Sequence, residues 1–172
     1  GVLDNVLAPS CRFMAKSEDR LWCGGLWEAS IVECSKTFVP GEPPQFTGDP
    51  SHQVVLPAGC TGLAYMDGSV VAFTESEIYL ISGDGPNDQG IGSFPAPRKM
   101  AQGIGCIDSR SIVETNVGTM FQSSRGIELL PRGFGPVQWV GKAVKDVFQV
   151  DGLTEIIGSG VFMDGKRNTA RF

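Results

Sequence analysis

Apolar residues along this chain occur in short runs, and glycine, proline, asparagine and aspartate separate one run from the next. Short apolar runs bounded by turn-forming residues are the pattern of β-strands joined by tight turns. A helical period of about 3.6 residues is not sustained over three turns anywhere. Residues 142–150 come nearest, and they fit a strand equally well. The pattern therefore predicts an all-β protein.

Four of the turns recur at a regular interval. They lie at residues 17–20, 66–69, 115–118 and 163–166. Gly68 and Gly118 are 50 residues apart, and Gly165 follows 47 residues later. The first turn precedes the second by about 49 residues. Similar hairpin turns at so regular a spacing indicate an internal repeat of about 48 residues.

Short strands surround each turn in the same order. Cys11, Cys60 and Cys106 open the strands that lead into three of the turns. The strands that leave those turns begin at 21–23, 70–73 and 119–121, and further strands follow at 31–34, 78–81 and 127–130. Another short strand precedes each unit, at 6–9, 54–57, 99–102 and 144–148. We therefore predict units of about four strands at 6–53, 54–100, 101–147 and, in part, 148–172.

Four-stranded units of this length are typical of β-propeller blades. The predicted fold class is all-β and β-propeller-like, with three whole blades and part of a fourth. A β-sandwich remains an alternative, although it does not require so regular a repeat. Closed propellers have about four to eight blades, so we expect a piece of a longer chain or a ring completed by another chain. A start at Gly1 without methionine and an end at Phe172 in mid-blade favour a piece.

Several of the repeated segments resemble a known family. The segments are 69–75 and 77–83 in the second unit, 105–106, 111–113, 118–123 and 125–127 in the third, and 19–22 in the first. Together they resemble the β-propeller part of the tail nozzle, or tail tubular, proteins of short-tailed bacteriophages. The resemblance covers most of the chain, and its motifs are structural.

This resemblance implies a structural virion protein rather than an enzyme, with no cofactor. It implies a homo-oligomeric ring at the end of the phage tail that contacts other tail proteins. DNA would pass through the channel of the ring and contact it passively. The protein would be located in the virion after assembly in the host cytoplasm.

The charge balance bears on the nucleic-acid partner. The formal net charge is −5, which argues against an electrostatic nucleic-acid binder. An acidic or neutral wall would suit a channel that conducts DNA without holding it, and a negative charge also simply keeps a protein soluble. No apolar run approaches 18 residues, so we predict no membrane-spanning segment. No signal peptide is visible.

The sequence gives little support for a structural metal site or a reactive cysteine. The chain has 5 cysteines, none of them in a C-x-x-C pair, and 1 histidine, His52. Zinc ribbons and fingers need paired cysteines or several histidines, so the sequence predicts no structural zinc. A catalytic dyad of a cysteine with His52 is formally possible, but nothing in the local sequence supports it. We expect buried cysteines that act as small apolar residues.

Two loops are candidates for subunit or ligand contacts. Residues 83–90 are rich in turn formers, and Asp84, Asn87 and Asp88 could offer oxygens to Ca²⁺. The spacing is not that of an EF-hand, so an exposed loop between strands is favoured, and such a loop could still contact a neighbouring subunit. Residues 38–50 are rich in proline and carry Phe38 and Phe46. They fit a partner-docking segment and an ordinary connection with packed phenylalanines equally well.

The tryptophans are the basis of an alternative predicted function, a carbohydrate- or receptor-binding β-propeller. Trp22 lies in strand register and is expected in the core, whereas Trp27 and Trp139 are the better candidates for exposed stacking platforms. A propeller enzyme would place carboxylates or histidines around the channel. One histidine, and no paired acids at matching blade positions, argue against that third reading.

Overall fold

Tight turns set where the strands of this protein begin and end. The computed structural model describes residues 1–141, 160–164 and 167–171. Their strands form three four-stranded antiparallel sheets and one two-stranded hairpin, which confirms the predicted all-β class. These sheets are not closed into a barrel.

Each four-stranded sheet is a meander of consecutive strands. Sheet 1 contains β1 (Phe13–Lys16), β2 (Leu21–Gly24), β3 (Ile31–Cys34) and β4 (Gln53–Val55). Sheet 2 contains β5 (Gly62–Met66), β6 (Ser69–Phe73), β7 (Glu77–Ile81) and β8 (Arg98–Gln102). Sheet 3 contains β9 (Val113–Glu114), β10 (Gly118–Ser123), β11 (Gly126–Pro131) and β12 (Gln138–Trp139). The hairpin pairs β13 (Gly160–Asp164) with β14 (Arg167–Arg171).

The helical content of the described residues is confined to short 3-10 turns. They are Pro50–His52, Ser109–Ser111, Arg132–Phe134 and a turn that includes residues 140–141. Aspartates at positions 49 and 108 cap the first two, because each carboxylate accepts a hydrogen bond from a backbone N–H two residues later. Within the described ranges, no helix has the length and apolar character needed to cross a membrane.

Each observed sheet extends one strand further along the chain than the predicted unit. β4 was expected to open the second unit, but it pairs with β3, with Val32 opposite Val54. β8, expected in the third unit, pairs in the same way with β7. A repeat period determines the length of a unit but not its phase, so each boundary could be drawn at either end of that strand.

The strand expected at residues 6–9 is a single bridge between Val6 and Phe46. Pro9 has no N–H with which to continue a ladder at that point. The strand expected at 144–148, and most of the partial unit 148–172, lie outside the described residues.

Sheet 2 is buried on both faces. Alternate residues of β6 point to opposite sides of the sheet, as a pleated strand requires. Val70 and Ala72 pack with Trp22 and other residues of sheet 1. Val71 and Phe73 pack on the other side, against residues of sheet 3. The core of the described region therefore consists of two apolar layers, one between each pair of successive sheets.

The first strands of successive sheets lie side by side. β1 contacts β5, β5 contacts β9, and β9 contacts β13. The backbone N–H of Tyr65 in β5 donates a hydrogen bond of 3.0 Å to Oε1 of Glu114 in β9. The sheets are thus joined through their first strands as well as through their apolar faces.

Hairpin turns add polar connections between neighbouring sheets. Asp67 and Gly68 form the two-residue β5–β6 turn, and both have positive φ angles, 49° and 77°. The Asp67 carboxylate accepts hydrogen bonds from Nη1 of Arg132 at 2.6 Å and from the N–H of Gly133 at 2.7 Å. The β1–β2 turn reaches sheet 2 in a comparable way, through Arg20. Each turn therefore contacts the connection between the third and fourth strands of the next sheet.

Candidate interaction surfaces

The loop between β2 and β3 presents the most exposed aromatic side chain among the described residues. Trp27 has a relative exposure of 104%. Gly25 begins the loop with a φ of 65°, and a Cβ at that position would lie 2.8 Å from Cβ of Arg12. Glycine therefore allows the loop to pass close to the strand before it turns outward.

Two clefts flank Trp27. One has a volume of about 600 Å³ and is lined by Cys11, Arg12, Glu28 and Gln53 together with the indole. The other, of about 510 Å³, lies towards sheet 3 and includes Asp108 in its wall. Arg12 and the loop residues 25–27 line both clefts, so the two clefts adjoin along this loop.

Hydrogen-bonding groups of opposite charge accompany the indole. Arg12 and Glu28 are both exposed. In the part of the chain that the structure describes, neither side chain takes part in an ion pair or a hydrogen bond. A guanidinium and a carboxylate beside one aromatic surface are therefore available to a ligand.

Arg20 is a buried arginine in the β1–β2 turn, at the other end of β2 from the Trp27 loop. Arg20 is only 3% exposed. Its guanidinium donates hydrogen bonds to the carbonyl oxygens of Ser35 at 2.9 Å, Asp84 at 3.3 Å, and Pro86. It lies 5.8 Å from the ring centroid of Phe94. Arg20 thereby ties the β7–β8 connection to sheet 1.

The predicted oxygen-rich loop lies in this connection. The Asp84 side chain is exposed, and its backbone carbonyl accepts from Arg20. Oδ1 of Asn87 accepts hydrogen bonds from the backbone N–H groups of Gln89 and Ile91. The carbonyl of Asp88 accepts from the N–H of Leu3 at 2.9 Å. Asn87 thus stabilises its own turn, and the loop holds the N-terminal segment.

The other sequence candidates fall in different surroundings. Phe46 is 2% exposed and packs inside the protein, which leaves its ring no surface for a partner. Phe38 is half-buried, with Nζ of Lys16 5.9 Å from its ring centroid. Trp139 is also half-buried, and the guanidinium of Arg125 lies 5.3 Å from its ring centroid. Trp22, expected in the core, is 3% exposed.

The cysteines behave as apolar residues. Cys23, Cys34, Cys60 and Cys106 are buried, and Cys11 is half-buried. Burial raises the pKa of Cys34 and of Cys60 to about 12, and that of Cys106 to about 11. These thiols stay protonated at neutral pH and are poor nucleophiles. The His52 ring shares a hydrogen bond of 3.1 Å with Oγ of Ser51 rather than with a cysteine.

His52 occupies a fully buried position between charged groups. Burial lowers its pKa, as do the positive charges of Arg20 and Lys36, whereas Asp49 and Asp88 raise it. The folded protein therefore prefers the neutral imidazole, while an unfolded histidine has a pKa of about 6.5. At a pH between the lowered pKa of His52 in the folded protein and about 6.5, the unfolded chain binds more protons than the folded one.

We therefore expect stability to be fully present above about pH 6.5 and to fall as the pH drops towards the lowered pKa of His52. Urea unfolding between pH 7.5 and pH 5 measures this as a falling midpoint. The His52→Gln variant should show a smaller fall over the same range, because it removes the titrating group. An equal fall in both proteins would contradict the assignment.

The sequence matches no protein-family model and no curated protein. No group of three potential metal ligands occurs in the described part of the chain.

Sequence reasoning missed two of the residues that organise these surfaces. Arg20 entered it only as part of a recurring segment, and Arg132 did not enter it. A charged residue directly before the largely buried strand Leu21–Gly24 was the available signal for Arg20. For Arg132 no local signal exists, because its partner Asp67 is 65 residues away.

Proposed function

We propose that this protein is a structural virion component, part of a phage tail nozzle or tail-tip assembly, which acts through subunit contacts around a DNA channel. In this proposal its three sheets are consecutive blades of a β-propeller, and the protein has no enzymatic activity. The observation that carries the proposal is the side-by-side arrangement of the first strands β1, β5, β9 and β13. In a propeller, blades are arranged radially around a central channel, which brings equivalent strands of neighbouring blades together.

The packing between the sheets supports the same arrangement. Each sheet of a propeller must cover both faces with neighbours, because one four-stranded sheet cannot bury two faces alone. Sheet 2 has both faces covered by other sheets, whereas one face of sheet 1 has no sheet packed on it among the described residues. On this face, here called the open face, Cys23 and Glu33 in the middle of the sheet are nevertheless buried. Met14 and Val55 on that open face are 59% and 64% exposed, while their neighbours Ala15 and Val54 are buried against sheet 2. The open face of sheet 1 is the surface on which a further sheet would pack.

The charges of the first strands suit a channel that does not hold DNA. In β1, β5 and β9 the charged residues are Lys16 and Glu114. A protein that grips DNA neutralises many phosphates with lysine and arginine. One lysine and one acid provide no such row of cations, so DNA would pass with little retention.

Native mass spectrometry of the protein from its natural source, followed by a denatured mass of the same sample, tests this proposal. We expect a ring-sized homo-oligomer, and negative-stain images that show a central hole. The described residues form three four-stranded sheets and one hairpin, and a closed propeller has about four blades or more. The proposal therefore requires further strands beyond the described ones, in this polypeptide or in other copies. A subunit with the mass of these 172 residues that stays monomeric would overturn it.

A pair of variants tests the open face directly. Met14→Glu with Val55→Glu places two charges on the face of sheet 1 that the proposal covers with a neighbouring sheet. The ring is expected to dissociate or fail to form. Ile91→Glu is the matched control, since Ile91 is similarly exposed, at 67%, but lies in the β7–β8 connection. Rings of equal size in both would contradict the use of this face.

A further inference from the structure

We propose that the Trp27 loop is a binding site for a neutral oligosaccharide. The proposal rests on the indole, the two clefts beside it and the free polar groups in their walls. It goes beyond the proposed function and does not depend on the virion role.

Exposure of the indole is the first observation. Single exposed apolar residues are common, so exposure alone identifies no site. Trp27 differs because it lines two clefts at once. Its indole offers a flat apolar surface of the kind that the C–H face of a sugar ring can cover.

Charge is the second observation, and it selects the ligand class. Arg12 offers hydrogen-bond donors and Glu28 offers acceptors, and within the described ranges neither has a protein partner. A phosphate would meet repulsion from Glu28, and a simple cation would meet repulsion from Arg12. Sugar hydroxyls both donate and accept hydrogen bonds and carry no charge, so they satisfy both groups at once.

The size and placement of the clefts indicate a chain of sugars rather than one ring. Volumes of about 600 and 510 Å³ each fall in the range that small-molecule ligands occupy. Trp27 lines both clefts. A linear oligosaccharide would cross the indole with one sugar stacked on it and place neighbouring sugars in the clefts.

Isothermal titration calorimetry with maltotetraose, cellotetraose and chitotetraose tests the proposal on the full chain. We expect at least one of the three to bind. Trp27→Ala should weaken that binding by about tenfold or more, and Trp27→Phe should weaken it less, because a smaller aromatic ring remains. Trp139→Phe is the matched control and should bind like the unmodified protein.

Polar variants separate the ligand classes. Arg12→Met and Glu28→Gln should each weaken saccharide binding, whereas Arg98→Met, an exposed arginine in β8, should not. Unchanged melting temperatures would show that the variants fold, as expected for exposed side chains. The proposal is overturned if none of the three saccharides binds, if Trp27→Ala binds as well as the unmodified protein, or if inorganic phosphate binds through Arg12 in their place.

Discussion

Replacing Phe73 by alanine is expected to lower the free energy of unfolding by about 3–5 kcal/mol. Phe73 in β6 and Phe121 in β10 are both 0% exposed, and their ring centroids lie 4.8 Å apart with the planes tilted by 51°. The two rings lie in the apolar layer between sheets 2 and 3. Truncating one removes its buried apolar surface and leaves a cavity that surrounding strands cannot close by local movement.

Equilibrium unfolding in urea measures this change, with a lower midpoint and a similar slope expected for the variant. Phe38→Ala is the matched control, and it should cost far less because that ring is only half-buried. In a double-mutant cycle with Phe121→Ala, a coupling of about 0.5–1.5 kcal/mol is expected from the aromatic pair. A loss below about 1 kcal/mol for Phe73→Ala would contradict the packing between the sheets.

Replacing Arg20 by methionine is expected to lower the free energy of unfolding by about 2–4 kcal/mol. Methionine keeps much of the apolar volume but provides no donor. The carbonyl oxygens of Ser35, Asp84 and Pro86 then lose the guanidinium that satisfies them. Buried acceptors without a partner cost more than the hydrogen bond itself contributes to stability, because their desolvation is no longer offset.

Arg20→Lys distinguishes charge from geometry. It retains the positive charge, but a single ammonium group lacks the planar fork that reaches carbonyls on two segments, so most of the loss should persist. Arg98→Met should change stability by no more than about 0.5 kcal/mol, since Arg98 is exposed.

A local measurement complements the global one. Arg20 ties the β7–β8 connection to sheet 1, and Ile91 in that connection is 67% exposed. Thermolysin should therefore cleave near Ile91 faster in Arg20→Met than in Arg98→Met, under conditions where both remain folded. Equal cleavage rates would show that the connection does not depend on the arginine.

Both predictions concern contacts between sheets rather than within one sheet. Phe73 and Phe121 join sheets 2 and 3, and Arg20 joins sheets 1 and 2. Sheets that pack only on their neighbours gain much of their stability from such interfaces. A protein proposed to act through subunit contacts would present the same kind of interface on its open face.

Local chemistry determined where many of the strands and turns lie. The Asp67-Gly68 pair predicts a two-residue turn, and both residues have the positive φ angles that such a turn requires. Strands predicted at 31–34 and 78–81 coincide with β3 and lie within β7. These features depend on neighbouring residues and on backbone preferences, so the sequence alone is sufficient to place them.

Long-range pairing decided the features that the sequence left open. The assignment of β4 to sheet 1 depends on its register with β3, which the repeat period does not specify. Phe38 and Phe46 belong to one proline-rich segment, yet Phe46 is buried and Phe38 is only half-buried. Trp27 and Trp139 were equal candidates by sequence, and only the tertiary structure exposes one and places Arg125 over the other. The burial of these side chains depends on residues that are distant in the chain, so a local sequence pattern does not predict it.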